Sequence, residues 1–482
     1  MYLGLDLGTS GVKAMLIDGD QRVIGSATGS LDVSRPHPGW SEQDPAHWIA
    51  ATEEAVAALK AAHPAALAAV RGIGLSGHMH GATLIDADDK VLRPCILWND
   101  TRSFAEAAVL DADPRFRALT GNIVFPGFTA PKLVWVKHNE PDIFARVAKV
   151  LLPKDYLRLW LSGEHISEMS DSAGTSWLDT GKRAWSPELL AATDLDEGQM
   201  PHLVEGTEQA GTLRAELAAA WGMQQGVVIA GGAGDNAASA CGMGTVAEGQ
   251  AFVSLGTSGV LFAANGSYLP KPESAVHAFC HALPGTWHQM GVILSATDAL
   301  NWHARVTGRS AGDLAAEVGD HLKAPTGVTF LPYLSGERTP HNDAKIRGAF
   351  IGLGHETGRA ELTQAVMEGV TFAIRDSLEA LKSAGTSIGR VTAIGGGSRS
   401  RYWLASIATA LGLPVDIPAD GDFGAAFGAA RLGLIAATGA DPLAVCTAPQ
   451  TAETVEPVSA LTSAYDTAYH RYRALYPAIR GI

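Results

Sequence analysis

The chain has 482 residues, 46% of them apolar and 18% charged, a composition that excludes an intrinsically disordered protein. Its 36 basic and 50 acidic residues give a net charge of −14, which argues against binding to nucleic acid or to an anionic membrane surface. A phosphate ligand stays compatible with this charge, because backbone N–H groups can hold phosphate without basic side chains.

The features that bear on cellular location predict a cytoplasmic protein. The first residues include Asp6 and show no basic segment followed by an apolar one, so an export signal is not expected. No run of about 18 apolar residues occurs, so we expect no membrane span. The cysteines lack the spacing of metal ligands, which predicts free, buried thiols in a reducing compartment: Cys95, Cys241, Cys280 and Cys446.

The first predicted element is a β-hairpin around the sequence LGTSGV at residues 7–12. Apolar runs at residues 1–5 and 12–17 flank a turn in which glycine supplies the unusual backbone angles. The same six residues return unchanged at 255–260, again between two apolar runs. We therefore expect two copies of one glycine-rich hairpin, about half the chain apart.

A second feature also occurs once in each half: a Gly-Asp turn that opens a helix of small residues, at 234–242 and at 421–430. The repeated order of parts predicts two homologous domains, at residues 1–244 and 245–482. The two helices are candidates for a close approach of backbones at a hinge between the domains, although each could instead pack within its own sheet. Asp422 of the second turn is expected to act only as a helix cap.

The elements between these repeats follow an α/β pattern. Asp44 and Pro45 are typical of a helix start, as N-cap and first helical residue. Buried strands are predicted at residues 70–75, 227–230 and 391–394. Each leads into glycine or a polar turn, which is where ligands usually bind in α/β proteins.

The end of the chain predicts two further features. Residues 436–457 are rich in Thr, Ala and Pro and are expected to form a surface connection. Four tyrosines then recur at helical spacing, which predicts a closing helix that packs on the body: Tyr465, Tyr469, Tyr472 and Tyr476.

The glycine turns are candidates for phosphate binding. A turn such as residues 8–11 can aim several N–H groups and the hydroxyls of Thr9 and Ser10 at one point. Two such turns, one per domain, would grip one polyphosphate from both sides of a cleft. Asp6 precedes only the first turn, and one carboxylate beside a polyphosphate suits Mg²⁺. The alternatives are two plain hairpins, and an aspartate that caps its own turn.

A nucleotide is also indicated by a third glycine-rich segment. Neither a P-loop pattern nor a convincing dinucleotide-binding GxGxxG occurs. Instead, the strand predicted at 391–394 runs into three consecutive glycines at 395–397. An adenosine could approach the backbone closely there, and the alternative is a tight junction between a strand and a helix.

Taken together, these residues resemble the FGGY family of carbohydrate kinases. Residues 127–136 (GFTAPKLVWV) are similar to the family's first signature, and residues 348–368 are similar to its second. YLSGERTP at 333–340 matches a further landmark of the family. The resemblance covers nearly the whole chain and thins beyond about residue 435. It implies an α/β fold of two duplicated actin-like (ribonuclease H-like) domains with a cleft between them.

The resemblance also implies roles for residues of this chain. Asp235 would be the catalytic base, and Asp6, also needed for catalysis, would bind magnesium. Met79, His80 and Asn236 would contact the sugar together with Asp235. The second domain would bind most of the nucleotide. The residues expected to hold ATP are Thr9, Ser10, Gly256 and Thr257 at the phosphates, and Gly396, Gly397 and Ser400 at the adenosine.

His78 and His80 also permit a metal site, because alternate residues of a strand share a face. No third ligand stands nearby in the sequence, so we favour a neutral His80 ring that bonds sugar hydroxyls. Met79 between them would supply an apolar wall for a carbon chain.

Within the family, the likeness is strongest to bacterial kinases of the ketopentose D-xylulose, over residues 34–45, 97–100 and 152–158. The implied reaction is the phosphorylation of D-xylulose by ATP and Mg²⁺ to D-xylulose 5-phosphate, in xylose catabolism. His78 and Ala233 depart from the pattern of that subgroup. The alternatives are a kinase for ribulose, fuculose, gluconate or glycerol, or an actin-like ATPase without a sugar substrate. A homodimer is a family-level expectation.

Overall fold

The computed structural model describes residues 1–419 and 421–481, so residue 482, the end of the predicted second domain, lies outside the described residues. In chain order the strands are β1 (Tyr2–Leu7), β2 (Gly11–Ile17), β3 (Val23–Ser30), β4 (Glu42–Gln43), β5 (Gly72–Gly77), β6 (Thr83–Ile85), β7 (Cys95–Ile96), β8 (Lys149–Leu151), β9 (Ile166–Glu168), β10 (Leu178–Asp179), β11 (Ala184–Trp185), β12 (His202–Val204), β13 (Gln209–Thr212), β14 (Val228–Ala230), β15 (Ala233–Gly234), β16 (Ala251–Leu255), β17 (Gly259–Asn265), β18 (His277–Cys280), β19 (Trp287–Ile293), β20 (Thr329–Leu331), β21 (Ala349–Ile351), β22 (Val391–Ile394), β23 (Val415–Pro418) and β24 (Thr451–Val455).

The α-helices are α1 (Pro45–Ala62), α2 (Pro64–Ala68), α3 (Phe104–Asp111), α4 (Pro114–Thr120), α5 (Thr129–Asn139), α6 (Pro141–Phe144), α7 (Pro153–Ser162), α8 (Met169–Ser172), α9 (Pro187–Ala191), α10 (Ala215–Trp221), α11 (Asp235–Met243), α12 (Thr297–Thr307), α13 (Ala311–Val318), α14 (Arg359–Ser383), α15 (Arg401–Leu411), α16 (Ala425–Thr438), α17 (Pro442–Val445) and α18 (Thr462–Ile479). Short 3₁₀ helices occupy Ala173–Thr175, Glu197–Gln199, Pro272–Ser274, Gly396–Arg399 and Ser459–Leu461. The helix predicted from Asp44 and Pro45 is α1, whose first turn is capped by the Asp44 side chain.

The first sheet is built from strands of the first half of the chain, in the order β13-β14-β5-β1-β2-β3, with β15 paired to the end of β5. The predicted hairpin is β1 and β2, which pair antiparallel with Leu7 opposite Val12. On its other side β1 runs parallel to β5. The strand predicted at 70–75 is β5, which lies two residues further along the chain and is buried at all six positions.

The second sheet repeats this plan with strands of the second half, in the order β18-β19-β17-β16-β22-β23-β24. Its hairpin is β16 and β17, with Leu255 opposite Gly259, and β16 runs parallel to β22 as β1 does to β5. In both sheets a glycine hairpin is extended by an antiparallel strand on one side and a parallel strand on the other. The duplicated α/β plan that the two hairpins predict is confirmed.

The helices α11 and α16 contact each other backbone to backbone. A Cβ added to Gly428 of α16 would lie 1.8 Å from the carbonyl oxygen of Ala238 in α11. The helix α16 also lies across the first sheet, where a Cβ on Gly74 would come within 1.7 Å of the Ala429 carbonyl oxygen. Only glycine fits at such contacts. The predicted close approach is confirmed, whereas packing of each helix only within its own sheet is wrong for α16.

Two expectations about the second half need correction. Asp422 does not cap α16: the N-cap is Gly424, and Asp422 forms an ion pair with Lys13 of β2. The region 436–457 is more than a surface connection, since it holds the end of α16, the helix α17 and the edge strand β24. The packing of a closing helix is confirmed, because α18 buries all four of its predicted tyrosines.

Candidate active site

Asp6 and Asp235 come from neighbouring strand ends of the first sheet. Asp6 lies opposite Ser76 of β5, and Ser76 in turn lies opposite Ala233 of β15. Adjacent strands are about 4.8 Å apart, so the Cα atoms of Asp6 and Ala233 are separated by roughly two such steps. Because α11 starts at Asp235 directly after β15, both carboxylates lie at the same edge of the sheet.

The charge of Asp6 influences the protonation of Asp235. Burial raises the pKa of Asp235 to about 6, and the negative charge of Asp6 contributes in the same direction. Burial also raises the pKa of the Asp6 carboxyl, and the charge of nearby Lys13 opposes that rise. Asp235 Oδ1 accepts hydrogen bonds from the backbone N–H of Asn236 at 2.7 Å and from its side-chain amide at 3.0 Å. A carboxylate with a pKa near 6 is ionised at neutral pH and can accept a proton.

The first glycine turn is held in place by two side chains. Gln43 donates from Nε2 to the carbonyl oxygen of Thr9 at 2.8 Å, and Trp98 donates from Nε1 to Thr9 Oγ1 at 3.0 Å. The side chain of Ser10 is exposed and that of Thr9 is half-buried. Trp98 itself is 47% exposed, which is unusual for a large apolar side chain. The turn is therefore fixed while its hydroxyls remain accessible.

The second glycine turn is fixed by the start of α12. The carbonyl oxygen of Gly256 accepts from Thr297 through both its backbone N–H, at 2.9 Å, and its hydroxyl, at 2.7 Å. The carbonyl oxygen of Thr257 accepts from the N–H of Ala296 at 2.8 Å, and the Thr257 side chain is exposed. As in the first copy, the carbonyl groups are engaged and the turn surface is accessible.

The ion pair between Lys13 and Asp422 links the first sheet to the loop before α16. The charge of Asp422 also acts to raise the pKa of Asp6, so the three charged groups lie close together. Sequence reasoning missed Lys13 and assigned Asp422 only a capping role, because the contact joins positions about 400 residues apart.

A cavity of about 940 Å³ opens beside this loop, a volume in the usual range for a nucleotide-sized ligand. Its lining includes Gly395, Ser398, Arg399, Phe423 and Gly424. The predicted adenosine residues adjoin it without lining it. Gly396 is exposed at the surface, and a Cβ on Gly397 would lie 2.8 Å from the Leu255 side chain. Ser400 Oγ accepts from the Trp403 N–H as the N-cap of α15.

The residues predicted to bind the sugar, Met79 and His80, follow the end of β5, and Met79 contacts the start of α11. A Cβ on Gly234, which precedes Asp235, would meet the Met79 side chain at 2.9 Å. The His80 ring stacks on Phe128, with centroids 4.4 Å apart, and its Nδ1 lies 2.7 Å from the Gly174 carbonyl oxygen. The structure thus brings Met79, His80, Asp235 and Asn236 into one region.

His80 is held in an uncommon backbone conformation by Lys132, a residue that sequence reasoning did not single out. The φ angle of His80 is +70°, and Lys132 Nζ donates to the His80 carbonyl oxygen at 2.7 Å and to that of Gly127 at 2.6 Å. Lys132 is completely buried, which lowers its pKa to about 7. Its only sequence signal is its place in the segment 127–136.

His78 has a different environment from His80. It is buried edge-on against Trp48, at 5.9 Å between ring centroids, and burial lowers its pKa to about 3. Within residues 1–419 and 421–481 no group of three or more His, Cys, Asp or Glu side chains is arranged to hold a metal ion. Nor does that part of the chain contain a helix long and apolar enough to cross a membrane.

A buried charge cluster supports the start of α11. Lys154 Nζ lies 2.8 Å from an Asp155 oxygen, 3.2 Å from Glu168 and 3.0 Å from Asp171. Glu168 accepts from the hydroxyl of Ser170 at 2.8 Å, and Ser170 Oγ accepts from the N–H of Gly234 at 3.1 Å. Removing one partner of such a cluster leaves an uncompensated buried charge. The cluster therefore fixes the backbone immediately before Asp235.

The chain belongs to the FGGY family of carbohydrate kinases. The N-terminal domain model of that family matches residues 1–242, and the C-terminal domain model matches residues 251–437. The protein is therefore a phosphotransferase that acts on a carbohydrate, with ATP as the family's phosphoryl donor. The predicted boundary after residue 244 lies between the two matches and stays a prediction.

Among curated relatives, xylulose kinase from Escherichia coli (strain K12) is 53% identical over 441 residues, covering 91% of this chain and 90% of the relative. Xylulose kinase from Lactococcus lactis subsp. lactis (strain IL1403) is 38% identical, covering 83% and 80%.

Solved structures agree with the fold. One from Brucella ovis, described as a "xyloylose kinase", is 74% identical with a TM-score of 0.98, covering 99% of both chains. Xylulose kinase from Rhodospirillum rubrum is 30% identical with a TM-score of 0.93, covering 99% and 98%. The duplicated two-domain architecture predicted from the family resemblance is confirmed.

Proposed function

We propose that this protein transfers the γ-phosphoryl group of ATP to D-xylulose and forms D-xylulose 5-phosphate, in the breakdown of xylose. The observation that carries the proposal is the contact between Met79, which is predicted to bind the sugar, and the start of α11. That helix start presents Asp235 beside the predicted phosphate turn. The relatives at 53% and 74% identity, both xylulose kinases by name, support the choice of sugar.

Asp235 acts as the general base in this proposal. The terminal hydroxyl oxygen of the sugar attacks the γ-phosphorus, its proton passes to the Asp235 carboxylate, and the bond to the β-phosphate oxygen breaks to release ADP. The pKa of about 6 keeps the carboxylate ionised at neutral pH and still basic. Such a base contributes roughly 10²- to 10⁴-fold to the rate. Asn236 orients that carboxylate through its two hydrogen bonds and remains close to the sugar.

The two glycine turns hold the phosphates. Thr9 and Ser10 offer accessible hydroxyls and N–H groups from the first turn, and Gly256 and Thr257 do so from the second. In-line placement and charge compensation supply most of the catalysis in phosphoryl transfer. Fixing the turns through Gln43, Trp98 and Thr297 prepares this geometry before ATP arrives.

Asp6 fits a magnesium ion that accompanies ATP. None of the ion pairs formed by the described residues involves Asp6, because Lys13 pairs with Asp422 instead. Its carboxylate, next to the phosphate turn, matches a cation that keeps most of its waters and takes one or two protein oxygens. The bound ion would neutralise charge on the phosphates.

The adenosine occupies the cavity beside Gly395, with Gly396, Gly397 and Ser400 supporting its wall. This assignment places the nucleotide mainly on the second half and the sugar mainly on the first. Closure of the two halves would then exclude water from the reacting phosphate. We expect hydrolysis of ATP without sugar to be much slower than phosphorylation.

The test is a panel of substrates with purified protein. ADP formation is measured by a coupled assay with D-xylulose, ribulose, fuculose, gluconate and glycerol, and the phosphorylated product is identified by mass spectrometry. We expect kcat/KM to be highest for D-xylulose. A higher value for another compound would reassign the sugar. Equal release of phosphate with and without every sugar, and no phosphorylated product, would favour the actin-like ATPase.

Two further parts of the proposal concern the state of the enzyme in the cell. We propose a cytoplasmic enzyme, consistent with its four buried free cysteines and its need for ATP. We also propose a homodimer. Light scattering coupled to size-exclusion chromatography measures its mass, and a monomer at micromolar concentration would contradict it.

A further inference from the structure

The segment YLSGERTP at 333–340 carries a cationic side chain that the proposed function leaves without a task. Arg338 places its guanidinium over the ring of Phe125, at 4.7 Å from the centroid. Its Nη1 lies 3.3 Å from Nε2 of His277 in β18. Arg338 thus reaches from the second half of the chain to an aromatic residue of the first.

The charge of Arg338 has no counterion among the described residues, since none of their ion pairs includes it. The neighbouring carboxylate of Glu337 forms no ion pair with the guanidinium, and its Oε1 accepts from the N–H groups of Leu294, at 3.0 Å, and of Arg338, at 2.8 Å. A guanidinium remains charged in proteins. The side chain is only half-buried, so a ligand can reach the donors that His277 does not use.

Arg338 lies beside His80, which is predicted to bind the sugar, and away from the proposed base Asp235. His80, Phe128, His277 and Phe279 form one aromatic cluster, with centroids 6.2 Å apart for His80 and Phe279 and 5.9 Å apart for Phe128 and His277. The positive charge of Arg338 acts on both His80 and His277. The charge that acts on Asp235 is that of Asp6. If the hydroxyl that is phosphorylated lies at Asp235, the other end of the sugar chain lies on the side of Arg338.

We propose that Arg338 is a specificity-determining residue that donates hydrogen bonds to the carbonyl oxygen of an open-chain ketose. The inference rests on the proposed function and names the group of the sugar that this part of the site recognises. A planar carbonyl oxygen can accept two N–H groups of the guanidinium fork. An alcohol at the same carbon accepts less well and must also place its own hydrogen. Arg338 thereby favours a ketose over the corresponding alditol.

The experiment compares Arg338→Met with the wild type on D-xylulose and on its two alditols, xylitol and D-arabinitol. We expect kcat/KM for D-xylulose to fall roughly 10- to 100-fold, the cost of losing a charged hydrogen bond to the substrate. The value for the alditols, or their inhibition constant where they are not phosphorylated, should stay within about threefold. The KM for ATP should also stay unchanged, because Arg338 lies at the sugar end.

The matched control is Arg347→Met, an exposed arginine of the same region whose Nη1 bonds only backbone carbonyl oxygens. It should behave as the wild type. Arg338→Gln, which keeps a polar group of similar length, is measured in parallel and serves if the methionine variant does not fold. An equal loss for ketose and alditols, or a ketose value within threefold of wild type, would overturn the inference. Absence of D-xylulose turnover in the wild type would instead overturn the proposed function.

Discussion

Replacement of Asp235 by asparagine should make the protein more stable while nearly abolishing turnover. The fold raises the pKa of Asp235 from 3.8 to about 6, through burial and the charge of Asp6. A carboxyl whose pKa is raised on folding contributes stability that is present below its unfolded pKa and is lost as the pH rises through about 6. At pH 7.5 the wild type lacks that contribution, whereas asparagine, which cannot ionise, retains it.

The magnitude follows from the size of the shift. A shift of about two units at about 1.4 kcal/mol each gives at most about 3 kcal/mol. The side chain keeps some contact with solvent, so we expect a gain of roughly 1 to 3 kcal/mol at pH 7.5 and none near pH 4. For the base role, kcat should fall at least ~10²-fold. Wild-type kcat/KM should itself decline as the pH drops below about 6, because the base becomes protonated.

Urea denaturation at pH 7.5 and pH 4 measures the first effect, and a coupled ADP assay measures the second. Asp320→Asn is the control, because Asp320 is exposed and is not one of the candidate site residues; neither stability nor turnover should change. A variant less stable than wild type at pH 7.5 would show that the ionised Asp235 carboxylate does not lower the free energy of unfolding. Turnover within tenfold of wild type would remove Asp235 from the role of base.

The other predictions concern the packing of the halves and the supports of the site. Gly428→Ala, whose Cβ would lie 1.8 Å from a carbonyl oxygen, should lower the free energy of unfolding by at least ~3 kcal/mol or prevent folding. The control Gly312→Ala, on the open surface of α13, should raise the free energy of unfolding by ~0.5–1 kcal/mol. Lys132→Met should raise the KM for the sugar at least ~10-fold with little change in the KM for ATP, because the His80 carbonyl loses its hydrogen-bond donor. A selective rise in the KM for ATP would contradict this. Asp6→Ala should raise the Mg²⁺ concentration needed for half-maximal activity at least ~10-fold, and an unchanged requirement would make Asp6 structural.

Local features of the sequence carried most of the fold. The repeated hairpin predicts both sheets, because a glycine turn between two apolar runs has few other ways to fold. The error in β5 has a tertiary cause. The prediction ended at Leu75, whereas Ser76 and Gly77, which apolar patterning does not mark as strand residues, pair with Asp6 and Leu7 of β1. Gly74 is needed because α16, more than 300 residues later, passes over it in backbone contact. Only the folded structure reveals that requirement.

The residues of the candidate site could be predicted where a local sequence motif surrounds them. They could not be predicted where their role depends on a contact with a residue distant in the sequence. Asp6 and Asp235 lie beside glycine turns, and these neighbouring glycines identify them as candidate site residues. The task of Lys132 depends on the carbonyl oxygen of a residue about fifty positions away. The proposed role of Arg338 depends on its contacts with His277 and Phe125, which come from different halves of the chain. No local pattern encodes such pairings.

The two halves differ at the positions where charge matters for the chemistry. In the first hairpin Asp6 precedes the glycine turn, and its counterpart in the second is Ser254, which cannot bind a cation as a carboxylate does. The helix α11 starts at Asp235 itself, whereas Asp422 lies three residues before α16 and pairs with Lys13. A second unpaired acid near the phosphates would repel them and raise the pKa of Asp235 further. The duplicated fold can therefore present the two proposed phosphate turns while keeping the proposed base and the proposed metal carboxylate on one half.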